Sequence, residues 1–318
     1  MKQAPLYLTE ADVARLADIR DAISSLEEAF AVWRDPGTAN MPRQRAALPS
    51  GFFNLMGSVY AHKGVFGLKA YAGGAGGAHF NVSLYSIEER RLLAVFEANL
   101  LSQLRTGAAS GLATKLMARA QARTLGVVGT GKQARAQVLA VCAVRPIELI
   151  RIFSPNSEHR HAFARATQNE VSVETVAVSS TQTCVEEADV VVLITKSAEP
   201  VVRSEWLRDG VHINGAGANA ANRRELDALT VVRARVLATD DRSQAQIEAA
   251  EFRDLVQDGR LRWEDVHELG DLVTGAALGR HSPDDVTLFK SLGVALEDIA
   301  FAEVIYRRAL AKDVGRAM

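Results

Sequence analysis

The 318-residue chain is poor in several features, and each shortage removes a class of function. It has two cysteines, Cys142 and Cys184, both in Ala/Val-rich surroundings. Two are too few for a disulfide framework, neither has the spacing of a metal ligand, and both read as buried thiols. A formal charge of −1 leaves no basic footprint for nucleic acid or an anionic membrane. No uncharged apolar run reaches membrane-spanning length, and the N-terminal segment lacks the apolar stretch of a secretion signal, so the expected location is the cytoplasm. His159, His161, His212, His267 and His281 show no zinc-type spacing with Cys or acids, and no metal is expected. Internal repeats and low-complexity tracts are missing as well.

What remains is the composition of an ordinary globular protein, 48% apolar and 24% charged, at a length that suggests two domains acting on small molecules. Thr9 with Asp12, and Asp21 ahead of an Ile23/Leu26/Phe30 spacing, predict two capped amphipathic helices. From Leu55 to Glu97 short apolar runs predict strands, with a hairpin at the charged turn Glu88 to Arg91. Gly73-Gly74-Ala75-Gly76-Gly77 reads as a mobile loop, since so many glycines weaken a regular element. After an Ala-rich helical stretch, Thr106 to Ala122, strand-like runs alternate with helical ones. The strand candidates are 124–128, 149–153, 173–177, 190–193, 211–214 and 236–239. Such alternation implies parallel β-α-β units, and a last helix is expected over Leu292 to Leu310.

The first of these units carries the most specific motif. Leu125 to Val128 runs into Gly129-Thr130-Gly131-Lys132-Gln133-Ala134, a G-x-G-x-x-A turn that opens a helix. Gly129 permits the tight turn, Gly131 lets backbone N–H groups approach a pyrophosphate, and Ala134 is small enough for helix-sheet packing. At the end of the second strand, where an acid would bind the ribose diol of NAD, stand Ser154, Pro155 and Asn156. Ser154, Asn156 and Arg160 suit a 2′-phosphate, which tilts the expectation from NAD towards NADP. Lys69 is a charge inside an otherwise apolar strand, 65–71, and an ammonium buried there is a candidate acid/base with a lowered pKa.

Three further stretches narrow the reading. Leu104-Arg105-Thr106-Gly107-Ala108-Ala109-Ser110, Asn214 to Asn219 with Arg224-Glu225-Leu226, and Leu288 to Asp298, taken with the Gly-rich turn, resemble the ornithine cyclodeaminase/μ-crystallin family over nearly the whole chain. The resemblance implies a homodimer that binds NAD or NADP and acts at a carbon bearing nitrogen. The implied fold is α/β: a Rossmann dinucleotide-binding domain, 106–291, plus a smaller α+β substrate and dimerisation domain formed from both chain ends, 1–105 and 292–318. It also implies roles. Lys69 and Arg105 are catalytic and substrate-binding, Arg45 grips the substrate carboxylate with Arg43 as the rival register, and Thr106, Thr195, Gly215, Gly217 and Val294 join Gly129, Thr130, Gly131, Gln133 and Ala134 around the cofactor.

Two departures from the family pattern shape the substrate expectation. Asn219 stands where cyclodeaminases carry an aspartate, and Asn54 where the ornithine pocket has a glutamate. An amide neither carries negative charge nor serves as a general base. Both changes favour an imino acid with a neutral or acidic side chain over a diamino acid, with His79 and Arg43 available for a second carboxylate. The leading expectation is an NAD(P)H-dependent reductase of a small α-imino acid, whether ketimine, cyclic imine or iminodicarboxylate, reversible as an amino-acid dehydrogenase. A cyclodeaminase using NAD+ transiently and a non-catalytic NAD(P)H-binding protein are the alternatives.

Overall fold

The computed structural model describes residues 4–318. The chain opens with β1 (Leu6–Leu8), α1 (Glu10–Leu16), α2 (Ile19–Ala31), β2 (Thr38–Leu48), β3 (Gly51–Tyr60), β4 (Val65–Gly74), β5 (Gly77–Ser86), β6 (Leu92–Glu97) and α3 (Asn99–Met117). An alternating series follows: β7 (Thr124–Val128), α4 (Ala134–Val144), β8 (Leu149–Phe153), α5 (Ser157–Val171), β9 (Glu174–Ala177), α6 (Thr181–Val185), β10 (Val190–Leu193) and β11 (His212–Gly215). It continues through α7 (Ala228–Arg233), β12 (Val236–Thr239), α8 (Arg242–Glu248), α9 (Ala250–Gln257), β13 (Val266–Glu268), α10 (Leu269–Val273) and β14 (Thr287–Lys290), and the chain closes with α11 (Ala295–Lys312) and β15 (Arg316–Ala317). Two compact units result: one runs to Arg105 and resumes at Val294, and the other is Thr106–Gly293.

The first unit is a seven-stranded sheet in the order β15-β1-β6-β5-β4-β3-β2, antiparallel except where β1 meets β6. Alternate residues of β4, from Val65 through Gly67 and Lys69 to Tyr71, are buried, as the two-residue period of a half-covered strand requires. Gly67 sits under α11, where an added Cβ would lie 2.5 Å from Ile299 Cδ1, so the helix rests directly on the sheet. Thr9 caps α1 in the expected box with Asp12. The next helix starts earlier than expected, at Ile19 with Asp18 as its cap, which leaves Asp21 in the first turn; Ile23, Leu26 and Phe30 are buried as the spacing predicts. The glycine run expected to be a loop is instead a tight hairpin, with β4 and β5 paired out to Gly74 opposite Gly77. The ladder hydrogen bonds and a close approach offset the entropic cost of glycine, since a Cβ on Gly73 would fall 2.7 Å from Phe52 Cζ.

The second unit is an eight-stranded parallel sheet in the order β13-β12-β14-β11-β10-β7-β8-β9. The chain builds outward from β7 in both directions, so the order reverses between β7 and β10, the place where open parallel sheets of this kind bind ligands at the carboxyl ends of their strands. Strands β13 and β14 lie outside the runs that predict strands, and β14 sits between β11 and β12. The Ala-rich helix begins upstream of Thr106, at Asn99, because the Glu10 carboxylate accepts the N–H groups of Asn99 and Leu100. It ends at Met117, where Arg145 Nη2 donates to the carbonyls of Thr114, Lys115 and Ala118, each at 2.8 Å. The last helix starts at Ala295 rather than Leu292. Asp240 Oδ2 holds the N–H groups of Leu292 and Gly293, each at 2.6 Å, and Gly293 at φ +76° turns the chain ahead of it.

Candidate active site

The candidate residues gather in two clusters, one in each unit. In the first unit Lys69, only 1% exposed, places Nζ 2.8 Å from Asp298 Oδ1. The same oxygen accepts from Arg105 Nε at 3.1 Å, while Arg105 Nη1 donates to Glu297 Oε2 at 2.7 Å. Glu297 and Asp298 stand in the first turn of α11, where the positive end of the helix favours carboxylates. Two cations and two anions therefore alternate in a buried row. Burial and the neighbouring charges of Arg105 and Arg43 push the Lys69 ammonium down to about 7, against the opposing pull of Asp298. Its ammonium also lies 5.0 Å from the Phe80 ring centroid and 5.7 Å from that of Tyr71, and these two rings stack 4.7 Å apart.

The rows of the sheet place the other substrate candidates. Met56 lies opposite Lys69, while Asn54 lies opposite both Arg45 and Tyr71. A register shift in β2 between Met41 and Gln44 puts Pro42 and Arg43 across from Met56. Arg43 therefore enters the Lys69 row and is 7% exposed, whereas Arg45 lies exposed in the next row of the edge strand. Of the two registers, Arg43 is thus the buried one in the Lys69 row, and Arg45 the exposed one opposite Asn54. Asn54 is buried at 2% exposure, with its Oδ1 lacking a hydrogen-bond partner among the described residues. His79 pairs with Ala72 on β4, the face opposite Lys69, and so does not join the cluster.

In the second unit the glycine turn closes β7. Gly129 has φ +114°, and a Cβ there would meet the Ile194 carbonyl oxygen at 2.4 Å, so only glycine fits. Around Gly131 the space is open. Gln133 caps α4 without a side-chain hydrogen bond and the first turn holds no acid, so no side-chain anion of the first turn occupies that helix end. Ala134 is fully buried against the sheet. At the end of β8, Thr130 Oγ1 donates to Ser154 Oγ at 3.1 Å, and Arg160 Nη1 donates to the Ser154 carbonyl at 3.1 Å. Asn156 is occupied as the cap of α5 through His159 N. Thr106 takes a bond from Gln137 through its carbonyl. A helix end without a side-chain anion, a glycine at Gly129 that no Cβ could replace and open space at Gly131 together fit a dinucleotide pyrophosphate.

A model of the ornithine cyclodeaminase/mu-crystallin family matches residues 3–313. The chain belongs to this family. It is 35% identical over 235 residues to a Delta(1)-pyrroline-2-carboxylate reductase of Bacillus cereus, covering 74% of this chain and 72% of that one. It is 32% identical over 322 residues to an alanine dehydrogenase of Archaeoglobus fulgidus, covering 98% and 97%. Among solved structures, Thermococcus litoralis Delta(1)-pyrroline-2-carboxylate reductase in complex with NADH and L-proline matches with a TM-score of 0.94 at 30% identity, covering 98% of this chain and all of that chain.

One buried side chain of the second unit shows in the sequence only as part of a motif. Glu225, 0% exposed, accepts Thr195 N at 2.6 Å through Oε1, and Gly217 N at 2.7 Å and Ala218 N at 2.9 Å through Oε2. Its own N–H donates to Glu251 Oε1, which also receives Lys290 Nζ at 3.2 Å. One carboxylate thus ties the loop after β10 to the loop after β11, which follows Gly215 and carries Gly217 and the half-buried Asn219. Glu225, Glu297 and Asp298 all lie in stretches that resemble the family, but a motif shows neither burial nor partners. Val294 is fully buried just ahead of α11. Both cysteines are free, and burial pushes the thiols up, Cys142 to about 11 and Cys184 to about 12.

Proposed function

We propose that this protein is an NAD(P)H-dependent oxidoreductase that reduces the C=N bond of a small α-imino acid and runs in reverse as an amino-acid dehydrogenase. The observation that carries this reading is the buried Lys69, held against Asp298 beside Arg105 in a fold shared with imino-acid reductases. When bound, the reduced nicotinamide supplies a hydride to the imine carbon. Gly129, Thr130, Gly131, Gln133 and Ala134 would hold the pyrophosphate at the open end of α4, with Ser154 and Arg160 beside the adenosine ribose. Arg43 and Arg105 grip the substrate carboxylate, a planar guanidinium being suited to two parallel bonds. The Lys69 ammonium gives its proton to the imine nitrogen, so hydride and proton complete the amine; in reverse, neutral Lys69 takes that proton back.

Asn54 and Asn219 put amides where cyclodeaminases carry carboxylates, which supports an imino acid without a second ammonium. The test is a panel of cyclic and acyclic α-imino acids, and of keto acids with ammonia or methylamine, with NADH and NADPH followed by absorbance. Stoichiometric cofactor oxidation is expected; ammonia release from ornithine without net cofactor turnover would overturn the reading in favour of cyclodeamination. Binding of NAD(P)H with no turnover across the panel would overturn it in favour of a binding protein.

A homodimer is part of the proposal. Met41, Leu48, Phe53 and Leu55, 59%, 44%, 38% and 39% exposed, share the outward face of β2 and β3, an apolar row that a second copy would cover. Among the described residues no helix is long and apolar enough to cross a membrane, and free thiols with nicotinamide chemistry suit the cytoplasm. Light scattering should give twice the chain mass, and a Leu55→Glu variant should give the single-chain mass.

A further inference from the structure

We propose that Asp298 is a positioning residue for this reaction, whose single oxygen Oδ1 orients both the proton-carrying amine of Lys69 and the carboxylate-gripping guanidinium of Arg105. The inference rests on the proposed imine reduction and assigns a role within that site. Its basis is geometric. Oδ1 is 2.8 Å from Lys69 Nζ and 3.1 Å from Arg105 Nε, and Asp298 itself is fully buried. Two cations that close repel each other at short range, and little solvent is present to screen them. An anion between them both removes the repulsion and sets where each donor points.

The other groups around Lys69 do not supply this. Arg43 enters from β2 and adds positive charge. From β3 come Met56 and Asn54, neither of them charged, and from β5 comes the Phe80 ring, while Tyr71 lies on β4 itself. Glu297, beside it on α11, bonds Arg105 and not Lys69, and Glu303, further along α11, pairs with Arg307. Asp298 is therefore the only carboxylate among the described residues with a hydrogen bond to Lys69. Its second oxygen, Oδ2, is buried with no hydrogen-bond partner among the described residues, so the contact with Lys69 and Arg105 is what orients the carboxylate. A structural salt bridge would need one cation; here one oxygen serves the two groups that must act together on the imine and its carboxylate.

Asp298→Asn keeps an acceptor oxygen and a matching volume but loses the charge. Its reductive kcat/KM should fall at least tenfold, and the alkaline limb of its pH profile should move towards acid by about one pH unit, because Lys69 then faces Arg105 and Arg43 with less opposition. Glu297→Gln should raise KM while leaving that limb in place. The nitrogen resonance of the Lys69 side chain, assigned with Lys69→Arg and followed through pH in the NAD(P)H complex, should show the same acid shift in Asp298→Asn without any turnover. An unmoved limb together with an unmoved Lys69 resonance overturns the proposal, even if thermal stability drops. If Asp298→Asn does not fold, Asp298→Glu decides: charge retained but displaced by one methylene should keep the limb and cut kcat at least tenfold, and an unchanged kcat overturns it. A shifted Lys69 resonance in a protein that reduces no imine would support Asp298 as the positioning residue while removing the oxidoreductase reading, so the two failures are distinct.

Discussion

Changing pH should drive the two directions of the reaction in opposite senses, because one group carries the proton in both. An ordinary lysine keeps its proton to 10.5, whereas burial and the charges of Arg105 and Arg43 bring Lys69 to about 7. At about pH 6 some ~90% of the enzyme then holds the ammonium that imine reduction needs, and at about pH 8 only ~10% does. Reductive kcat/KM should fall about tenfold per unit above neutrality, and the oxidative kcat/KM should rise about tenfold per unit up to neutrality and then level. Initial rates by nicotinamide absorbance, taken in both directions in one buffer series, measure this directly. Lys69→Arg, which cannot lose its proton in that range, should remove the break. Stability supplies a check without turnover. Between about 7 and 10.5 the unfolded chain binds the lysine proton that the folded protein has released. Folding stability therefore rises with pH across that window, by up to about 1.4 kcal/mol per unit, and this slope should vanish in Lys69→Met. A reductive limb that breaks only above about pH 9, or one that survives in Lys69→Arg, would refute the assignment of the proton to Lys69.

The parts of this molecule that were legible in sequence are those whose signals are local. Strand β7, the glycines after it and the helix behind Ala134 announce themselves, because a buried parallel strand is a continuous apolar run and a close backbone approach demands glycine. Lys69 stood out because a charge interrupts an apolar strand. Arg43 and Arg45 could not be separated that way: two residues apart, they share a strand face, and the choice depends on a bulge at Pro42–Arg43 that exists only when β2 pairs with β3. Strand β14 has the same difficulty, since Leu288–Phe289–Lys290 becomes a strand by lying between β11 and β12, partners far away in the chain. Glu297 and Asp298 read from sequence as the acidic first turn of a helix; only packing shows that they face Arg105 and Lys69. The five-residue glycine run misled because its composition says entropy, whereas the structure uses the missing Cβ atoms for contact.

The two arginine registers separate by mutation: Arg43→Ala should lower reductive kcat/KM about 100-fold through KM, and Arg45→Ala should change it only a few-fold, with steady-state kinetics as the readout. Arg160→Ala should weaken NADPH about tenfold more than NADH in fluorescence titrations, because its guanidinium stands at the Ser154 carbonyl where a 2′-phosphate would lie. The glycines of the cradle make the sharpest contrast. Alanine at Gly217 would place Cβ 2.2 Å from Thr195 N and 2.4 Å from Glu225 Oε1, and a backbone atom cannot swing away as a side-chain tip can. The loops after β10 and β11 must part, at a cost of about 1–3 kcal/mol, so Tm should fall by a few degrees and NADH binding should weaken more than tenfold. Alanine at Gly131 meets no protein atom within 4 Å, so its Tm should stay put. Its NADH affinity should nevertheless fall at least tenfold, because the space that its methyl group enters is the space the pyrophosphate needs. Tight NADH binding by Gly131→Ala would place the pyrophosphate somewhere other than the end of α4.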